Sequence, residues 1–510
     1  MEITQIILAA TPVLMLIVLL GFLKVSGDKS AGITLLVTVL IAIFGFHLSP
    51  LNAGLSFGFG ALKAIFPIII IIVMAIFSYN ILVYTRKMEV IKMQFSSIST
   101  DKSIQVLLLA WGFAGLLEGM AGFGTAVAIP AAILIGLGYK PVFSALVCLI
   151  SNSVPTAFGA VGVPVKVVAS EIGIDNIQHL STQVVFQLSP LMIIIPVIIV
   201  FLSDNRRVAI PKNLILGILV GTVSLLAQYF SAKFLGAETP AILGSIAAII
   251  TIVLLARLFR TKDSKVSQKQ SHTTLEIVKA WSVYGAILLL IFITSPLFVS
   301  LREFLKQLMY TPITIPIDGV NKVVKISWLT DAGTVLFLGS MIGGLIQGAK
   351  LKELFAVLGK SFIQLKKTQI TIISLIALST IMDVSGMIEV LGVAIASATG
   401  SFYPFFAPAI GCLGTFLTGS DTSSNILFGK LQASVAHKIG VEPSWLAAAN
   451  TVGGTGGKII SPQSIAVATS ACDMQGKEGE ILKMAIPYAL FYIVCVGIMV
   501  YFFGSFATNL

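Results

Sequence analysis

Charge is what this chain has least of. Only 11% of its 510 residues are charged, against 56% hydrophobic, and the mean hydropathy is +1.00. Charged residues make up about a quarter of a globular chain, so a soluble domain of this size is excluded. Cysteine is almost as scarce. Cys148, Cys412, Cys472 and Cys495 stand alone and form no disulfide or metal spacing. The four histidines, His47, His179, His272 and His437, include no pair at haem-ligand or zinc spacing. These absences argue against a metal centre, a bound cofactor or the membrane subunit of a redox enzyme. Period-2 alternation is rare, which excludes a large β-barrel. A basic leader is missing too: Lys24 follows the first apolar run instead of preceding it, so that run is expected to be a span and not a cleaved signal.

What the chain does have is apolar runs of about 20 residues from end to end, the signature of a helical membrane protein. Full spans are expected at about 4–23, 31–49, 64–84, 141–170, 182–201, 213–230, 239–258, 281–300, 331–348, 368–389, 443–472 and 483–505, about 12 in all. Two further stretches, 103–139 and 391–440, are too long for one crossing at about 1.5 Å per residue through a core about 30 Å thick. Both are broken at the centre by Gly, Ser and Thr. They are expected to be re-entrant hairpins, or tight pairs of short spans. The fold class is therefore an all-α polytopic membrane protein.

The net charge of +11 does not point to nucleic acid, because most Lys and Arg lie in short loops between apolar runs. With the N-terminus outside, 23 of the 33 fall on one side, 7 on the other, and Lys166, Lys430 and Lys458 inside membrane segments. Basic loops mark the cytoplasm, so both termini are expected outside. The segment 260–280 becomes a cytoplasmic loop and 301–330 an external one, whose PIDGVNKVVKI reads as a β-hairpin turning at Asp318-Gly319.

The two long stretches resemble each other. Each holds one acid in an otherwise uncharged run: Glu118 between Lys102 and Lys140, Asp421 between Glu389 and Lys430. Aligning Pro141 with Pro443 matches PVFSALVCLISNSVPTAFGAVGVPVKVVAS with PSWLAAANTVGGTGGKIISPQSIAVATSA, each a short helix, a Gly/Ser/Asn/Pro-rich break and a second short helix. This gives a first repeat at 64–201 (hairpin 103–139, broken helix 141–170) and linking spans at 202–330. A second repeat follows at 331–505 (hairpin 391–440, broken helix 443–472). Seven expected crossings separate the two hairpins, an odd number, so the repeat is inverted. The hairpin tips then meet near the midplane, as in secondary transporters.

The breaks carry the chemistry. A half-helix beginning in the membrane presents unpaired N–H groups and about half a positive charge to the gap, a ready anion site. Four such ends are expected, near Gly122–Thr125, Pro155–Gly159, Thr422–Asn425 and Ser461–Gln463. Candidate substrate-binding residues are Gly122, Gly124, Thr125, Asn152, Ser153, Thr156, Ser420, Thr422, Ser423, Ser424, Asn425, Thr455, Lys458, Ser461 and Gln463. Gly119, Gly453, Gly454, Gly456 and Gly457 are read as letting backbone approach a ligand, although small residues also serve helix packing. A lone carboxylate at bilayer depth costs roughly 2.5–3.5 kcal/mol on insertion scales, so it needs a partner or a task. Asp421 and Glu118 are assigned proton coupling, with Lys458 as the candidate partner of Glu118. Lys166 is read as snorkelling, and Asp331, Asp383 and Glu389 as interfacial.

The segments EGMAGFGTAVAIPAAILIGLGYKP and SNSVPTAFGAVGVPV resemble the bacterial lactate permease family, as do GSDTSSNILFG and NTVGGTGGKIISPQSIAVATSA. The resemblance covers nearly the whole chain. It implies uptake of L-lactate, with D-lactate and glycolate, by proton symport across the bacterial cytoplasmic membrane, and no enzymatic activity. More broadly it implies the ion-transporter superfamily, whose members carry inverted repeats with hairpins and broken helices. Expected partners are the lactate or glycolate anion, a proton, membrane lipids and a second copy in a possible homodimer. A Na⁺-coupled carboxylate transporter is the nearest alternative. Ser151-Asn152-Ser153 and Ser424-Asn425 only partly match the Ser-Asn-Thr tips of that superfamily's dicarboxylate branch.

Overall fold

The computed structural model describes residues 3–96, 98–122, 124–204, 206, 209–259, 273–474 and 477–504. Eleven helical stretches in it are long and apolar enough to cross a membrane, or twelve if the bent pair Pro141–Thr156 and Gly159–Ile172 counts as one span. The protein is thus a multi-pass, helical membrane protein.

The chain opens with α1 (Ile3–Ile17), extended by a π segment (Val18–Phe22), then α2 (Gly27–Gly45). α3 (Pro50–Lys63) continues through a π segment (Ala64–Ile69) into α4 (Ile70–Tyr84), and α5 (Lys87–Ser96) follows. Next comes one buried arm made of α6 (Lys102–Val106), a π segment (Leu107–Phe113) and α7 (Ala114–Met120). α8 (Thr125–Gly136) folds back along this arm, making the first hairpin. The first broken helix is α9 (Pro141–Thr156) and α10 (Gly159–Ile172), bent by 49°. Three long helices close the first half: α11 (Ile177–Ser203), α12 (Ile210–Leu235) and α13 (Pro240–Leu258).

The second half begins with α14 (Thr274–Ile293) and α15 (Val299–Leu308). β1 (Tyr310–Ile317) and β2 (Val320–Ser327) form an antiparallel pair, with Ile317 opposite Val320. Asp318 and Gly319 both have positive φ (50° and 76°), as a two-residue type I′ turn requires. Then come α16 (Ala332–Ile346), α17 (Leu351–Gln364), α18 (Lys366–Val384) and α19 (Met387–Thr399). The second hairpin is α20 (Tyr403–Thr418) and α21 (Asp421–Ile439). The second broken helix is α22 (Pro443–Ile460) and α23 (Pro462–Ala471), followed by α24 (Glu478–Phe502).

The two halves exchange packing partners. α2 and α3 pack on α18, while α16 and α17 pack on α4. α1 reaches α19, and α14 reaches α5. The second piece of each broken helix lies on the returning arm of the other half's hairpin: α10 on α21, and α23 on α8. No single half could bury these apolar faces alone.

Several expected boundaries move. Residues 50–63, which fall between two expected spans, form α3 and make a 35-residue helical stretch with α4. The span expected at 368–389 ends at Val384, because Gly386 (φ 82°) takes a left-handed turn and starts α19. Residues 391–399 therefore belong to α19, and the second hairpin runs from Tyr403 to Ile439 instead of 391–440. The expected cytoplasmic loop 260–280 lies outside the described residues as far as His272. From there on it is helix, started by a capping box of Thr273 and Glu276.

Glycine assignments change as well. A Cβ on Gly453 or Gly457 would fall within 2.3 Å of the Pro408 or Cys412 carbonyl oxygen of α20. On Gly456 it would strike Tyr492, and on Gly119 it would meet Ala241 and Ile242. These four glycines let helices approach one another, the usual role of small residues at transmembrane contacts, and do not face a ligand space.

Candidate functional site

Four helices begin inside the molecule. α8 starts at Thr125 after Gly124, whose φ of 87° only glycine adopts easily, and α10 starts at Gly159. α21 starts at Asp421 after Gly419 (φ 73°), with Ser420 Oγ accepting from Ser423 N. α23 starts at Pro462, which lacks the N–H that would continue α22, with Ser461 as its cap. All four breaks border one cavity of about 340 Å³. That lies at the low end of the roughly 300–1,000 Å³ range of small-molecule pockets.

Ten of the expected residues line this cavity: Gly122, Gly124, Thr156, Ser420, Thr422, Ser423, Lys458, Gln463, Glu118 and Asp421. The other seven are not among its lining residues, and most hold the walls in place. Thr125 donates to the Gly122 carbonyl at 2.8 Å, and Asn152 Nδ2 to Thr156 Oγ1 at 3.2 Å. Ser153 and Ser424 donate to the backbone carbonyls of Ile150 and Gly411. Thr455 donates to the Val452 carbonyl at 2.7 Å and shares a 2.7 Å hydrogen bond with Tyr492. Ser461 caps α23, and Asn425 bridges the two halves.

The two acids occupy different positions on their hairpins. Glu118 lies near the end of α7, before its break, whereas Asp421 is the first residue of α21, after its break. Glu118 and Asp421 are only 4% and 2% exposed. Both carboxyl oxygens of Asp421, and Oε2 of Glu118, accept no hydrogen bond among the described residues. Asp421 presses on Gly454 of α22, where any Cβ would collide with its Oδ1. A Cβ on Gly159 would likewise lie 2.7 Å from Glu118 Oε1. Lys458 lines the same cavity as both carboxyls. It pairs with neither among the described residues, contrary to the expected Glu118 partnership, and its Nζ instead donates to the Gly419 carbonyl at 3.1 Å. A lysine has three donors, so two remain for a bound anion.

Some of the lining carries no sequence signal. Ala160, Val161 and Gly162 form a left-handed run (φ 44°, 59° and 76°) inside α10. Such angles are uncommon outside glycine and a clear outlier for valine, and Ala160 faces the cavity. The matched break in α22–α23 has no such turn, so the copies are not locally alike. Thr418 and Ser464 also line the cavity, and Ser26, Asp28, Lys367 and Thr371 border it from the starts of α2 and α18. These belong to spans far from the motifs.

A buried charge network was equally hidden. Lys63 (α3) pairs with Glu171 (α10) at 3.0 Å. Lys430 (α21) lies 3.5 Å from Glu171 and 3.2 Å from Asp383 (α18), and Lys322 (β2) reaches Asp383 at 3.1 Å. Ser379 also donates to Glu171. Asp383 is therefore a bridge between elements and not simply interfacial, and Lys430 is neutralised. Lys166 pairs with Glu238 at 2.8 Å instead of snorkelling free. Asp331 caps α16, and Glu389 pairs with the half-exposed Lys438. No cluster of three or more His, Cys, Asp or Glu placed to hold a metal occurs among the described residues.

Residues 5–506 match the L-lactate permease family. The chain belongs to that family. The L-lactate permease of Streptococcus iniae is 41% identical over 447 residues, which is 87% of this chain and 93% of that one. Glycolate permease GlcA of Escherichia coli is 34% identical, covering 97% and 94% of the two chains. Among solved structures, the YdaH transporter of Alcanivorax borkumensis aligns at 13% identity with a TM-score of 0.49, over 90% of this chain and 88% of that one. Permeases are transporters and not enzymes, so the lactate permease family places the protein among multi-pass carriers.

Proposed function

We propose that this permease imports L-lactate and related small 2-hydroxy monocarboxylates, D-lactate and glycolate among them, in symport with a proton across the bacterial cytoplasmic membrane. The observation that carries the reading is the cavity itself. Lys458, which has no ion pair among the described residues, two buried acids and the starts of four helices surround about 340 Å³. The family and the names of the relatives supply the substrate class. Lys458 and the N–H groups opening α8 and α23 suit a single carboxylate, and Thr422, Ser423 and Gln463 can address a neighbouring hydroxyl. A dicarboxylate would call for a second deep cation, and the other lining lysine, Lys367, sits at the start of α18 beside Asp28.

The proton answers an electrical problem. Bringing in a monovalent anion against a negative-inside potential costs about 2.3 kcal/mol per 100 mV, and a co-transported proton makes the step neutral. Asp421 is the better carrier of that proton, since neither of its oxygens has a partner among the described residues; Glu118 is the second candidate. Both termini are placed outside by the charge of the loops. The cavity then borders the inner ends of α2 and α18, while the Lys63–Glu171–Lys430–Asp383 network closes the outer side. This arrangement corresponds to an inward-facing state of an inverted repeat.

The test is uptake of radiolabelled lactate into proteoliposomes under an imposed pH gradient or, separately, a Na⁺ gradient. Accumulation driven by the pH gradient alone supports the reading. Accumulation driven only by Na⁺ replaces it with the Na⁺-coupled alternative.

A further inference from the structure

A second cavity, of about 1440 Å³, shares no lining residue with the first. α13 packs on the buried first arm of the first hairpin and α14 packs on α5 and α16, which leaves a cleft between them. Away from the charged residues its lining is mainly apolar, with Ile246, Ile249 and Val253 of α13, Leu288 of α14, and Leu116 and Met120 of α7, and the buried Tyr284 hydroxyl among them. Its mouth is ionic. Lys102, Arg206, Lys212 and Arg257 stand there against Asp101 and Asp204. Arg206 pairs with Asp204 at 2.7 Å and Lys212 pairs with Asp101. Lys102 and Arg257 are exposed and have no ion pair among the described residues, so the mouth carries two spare positive charges.

The flanking faces of α13 and α14 are those of bilayer-facing helices: Ile250, Leu254 and Leu289 are 54%, 54% and 60% exposed. An apolar cleft at this depth adjoins hydrocarbon, and filling it with water would forfeit the burial of its walls. The volume exceeds the roughly 300–1,000 Å³ of small-molecule pockets. A 2-hydroxy acid needs neither that space nor those walls. Acyl chains supply what the depth lacks, and a phosphate head supplies the negative charge that the mouth lacks. Basic pockets between transmembrane helices on the cytoplasmic side bind anionic headgroups in this way. Every mouth residue lies on the face where the Lys- and Arg-rich loops gather.

We propose that the α13–α14 cleft is a binding site for one anionic phospholipid, with its head at Lys102 and Arg257 and its chains along Ile249, Val253 and Leu288. The bound lipid then lies against Leu116 and Met120, either side of Glu118 in sequence, and supports the first hairpin. The site is independent of the transported substrate.

Native mass spectrometry of the purified full-length protein tests this, with phosphatidylglycerol and phosphatidylethanolamine of equal chain length added in competition. The wild type is expected to retain phosphatidylglycerol at least about tenfold better, with the preference falling as salt rises. Lys102→Glu with Arg257→Glu should bring the two lipids level, and Val253→Trp should reduce retention of both. Melting temperature reports that the variants are folded, and the salt dependence in the wild type serves if they are not. Equal retention by the wild type, a preference unchanged by the double substitution or insensitive to salt, or no retention at all overturns the proposal. So does a dimeric wild type that Val253→Trp makes monomeric, which would show the cleft to be a subunit contact.

Discussion

Asn425 of the second hairpin donates its Nδ2–H to the carbonyl of Pro164 in the first broken helix, at 3.1 Å. Its Oδ1 accepts from Asn450 Nδ2 at 2.9 Å and from Thr451 Oγ1 at 3.2 Å, both on the second broken helix. One fully buried amide thus ties three of the four broken elements together beside the candidate cavity. Sequence alone places Asn425 in the ligand shell. The structure makes it the joint that holds the shell's parts in register.

Removing that joint should cost stability before it costs affinity. Asn425→Ala leaves Asn450 without one acceptor and Thr451 without its side-chain partner, both fully buried. Each unsatisfied group costs about 1–3 kcal/mol. The expected outcome is a lower melting temperature in detergent and little transport, whereas Thr422→Ala, at the cavity wall, should keep a near-normal melting temperature. The thermal unfolding of the two variants, measured side by side, checks this.

Lys458 should behave in the opposite way. Losing a charge-assisted hydrogen bond to the substrate costs about 1.5–3 kcal/mol, or roughly ten- to a hundred-fold in affinity. Lys458→Gln is therefore expected to reach the membrane normally and to show apparent lactate affinity weakened by that factor. Concentration-dependent uptake in a well-expressed variant measures it, and an unchanged half-saturation would make Lys458 a support for Gly419 alone.

The charge network makes a prediction about packing. Among the described residues, Lys430 is the one cation paired with both Glu171 and Asp383, and Glu171 is the one acid paired with Lys63. Breaking a buried pair by removing one partner typically costs about 3–5 kcal/mol, because the other charge stays buried. Glu171→Gln should therefore destabilise the protein strongly, because it strands Lys63. A combined Glu171→Gln, Lys63→Met variant should recover part of that loss, because the stranded ammonium is removed with its partner while Lys430 and Lys322 keep Asp383. Melting temperatures of the single and combined variants decide the matter.

Much of the architecture was legible because bilayers impose long apolar runs, and because breaks in such runs are conspicuous. The starts of α8, α10, α21 and α23 fall at or within a residue of the expected positions, since Gly419, Ser420, Ser461 and Pro462 each leave a local mark. Three-dimensional exchange was not legible. That α10 would rest on α21, or that Lys63 would find Glu171 across 108 residues, follows from packing that no local pattern encodes. For the same reason Gly453 and Gly457 were misread, because a glycine facing a helix and one facing a ligand look alike in sequence. The boundary near 386–391 failed on a single glycine in a left-handed turn.

Orientation can be read from two positions. Asn321, next to the turn between β1 and β2, should react as a cysteine with an impermeant thiol reagent in intact cells. Ser267, which lies outside the described residues, should react only after the membrane is opened. The reverse pattern would invert the topology and with it the inward-facing assignment.

The central claim is that a proton travels with the substrate on a carboxyl of the cavity, and Asp421→Asn tests it most directly. The measurement is lactate transport in proteoliposomes, once with an imposed pH gradient and once as exchange between compartments of equal pH. Asn keeps the shape at the start of α21 but cannot carry the coupled proton. The account predicts that accumulation driven by the pH gradient is abolished, while exchange at equal pH survives in part. An Asp421→Asn protein that still accumulates lactate against a gradient, with the wild-type pH dependence, would contradict it and pass the role to Glu118.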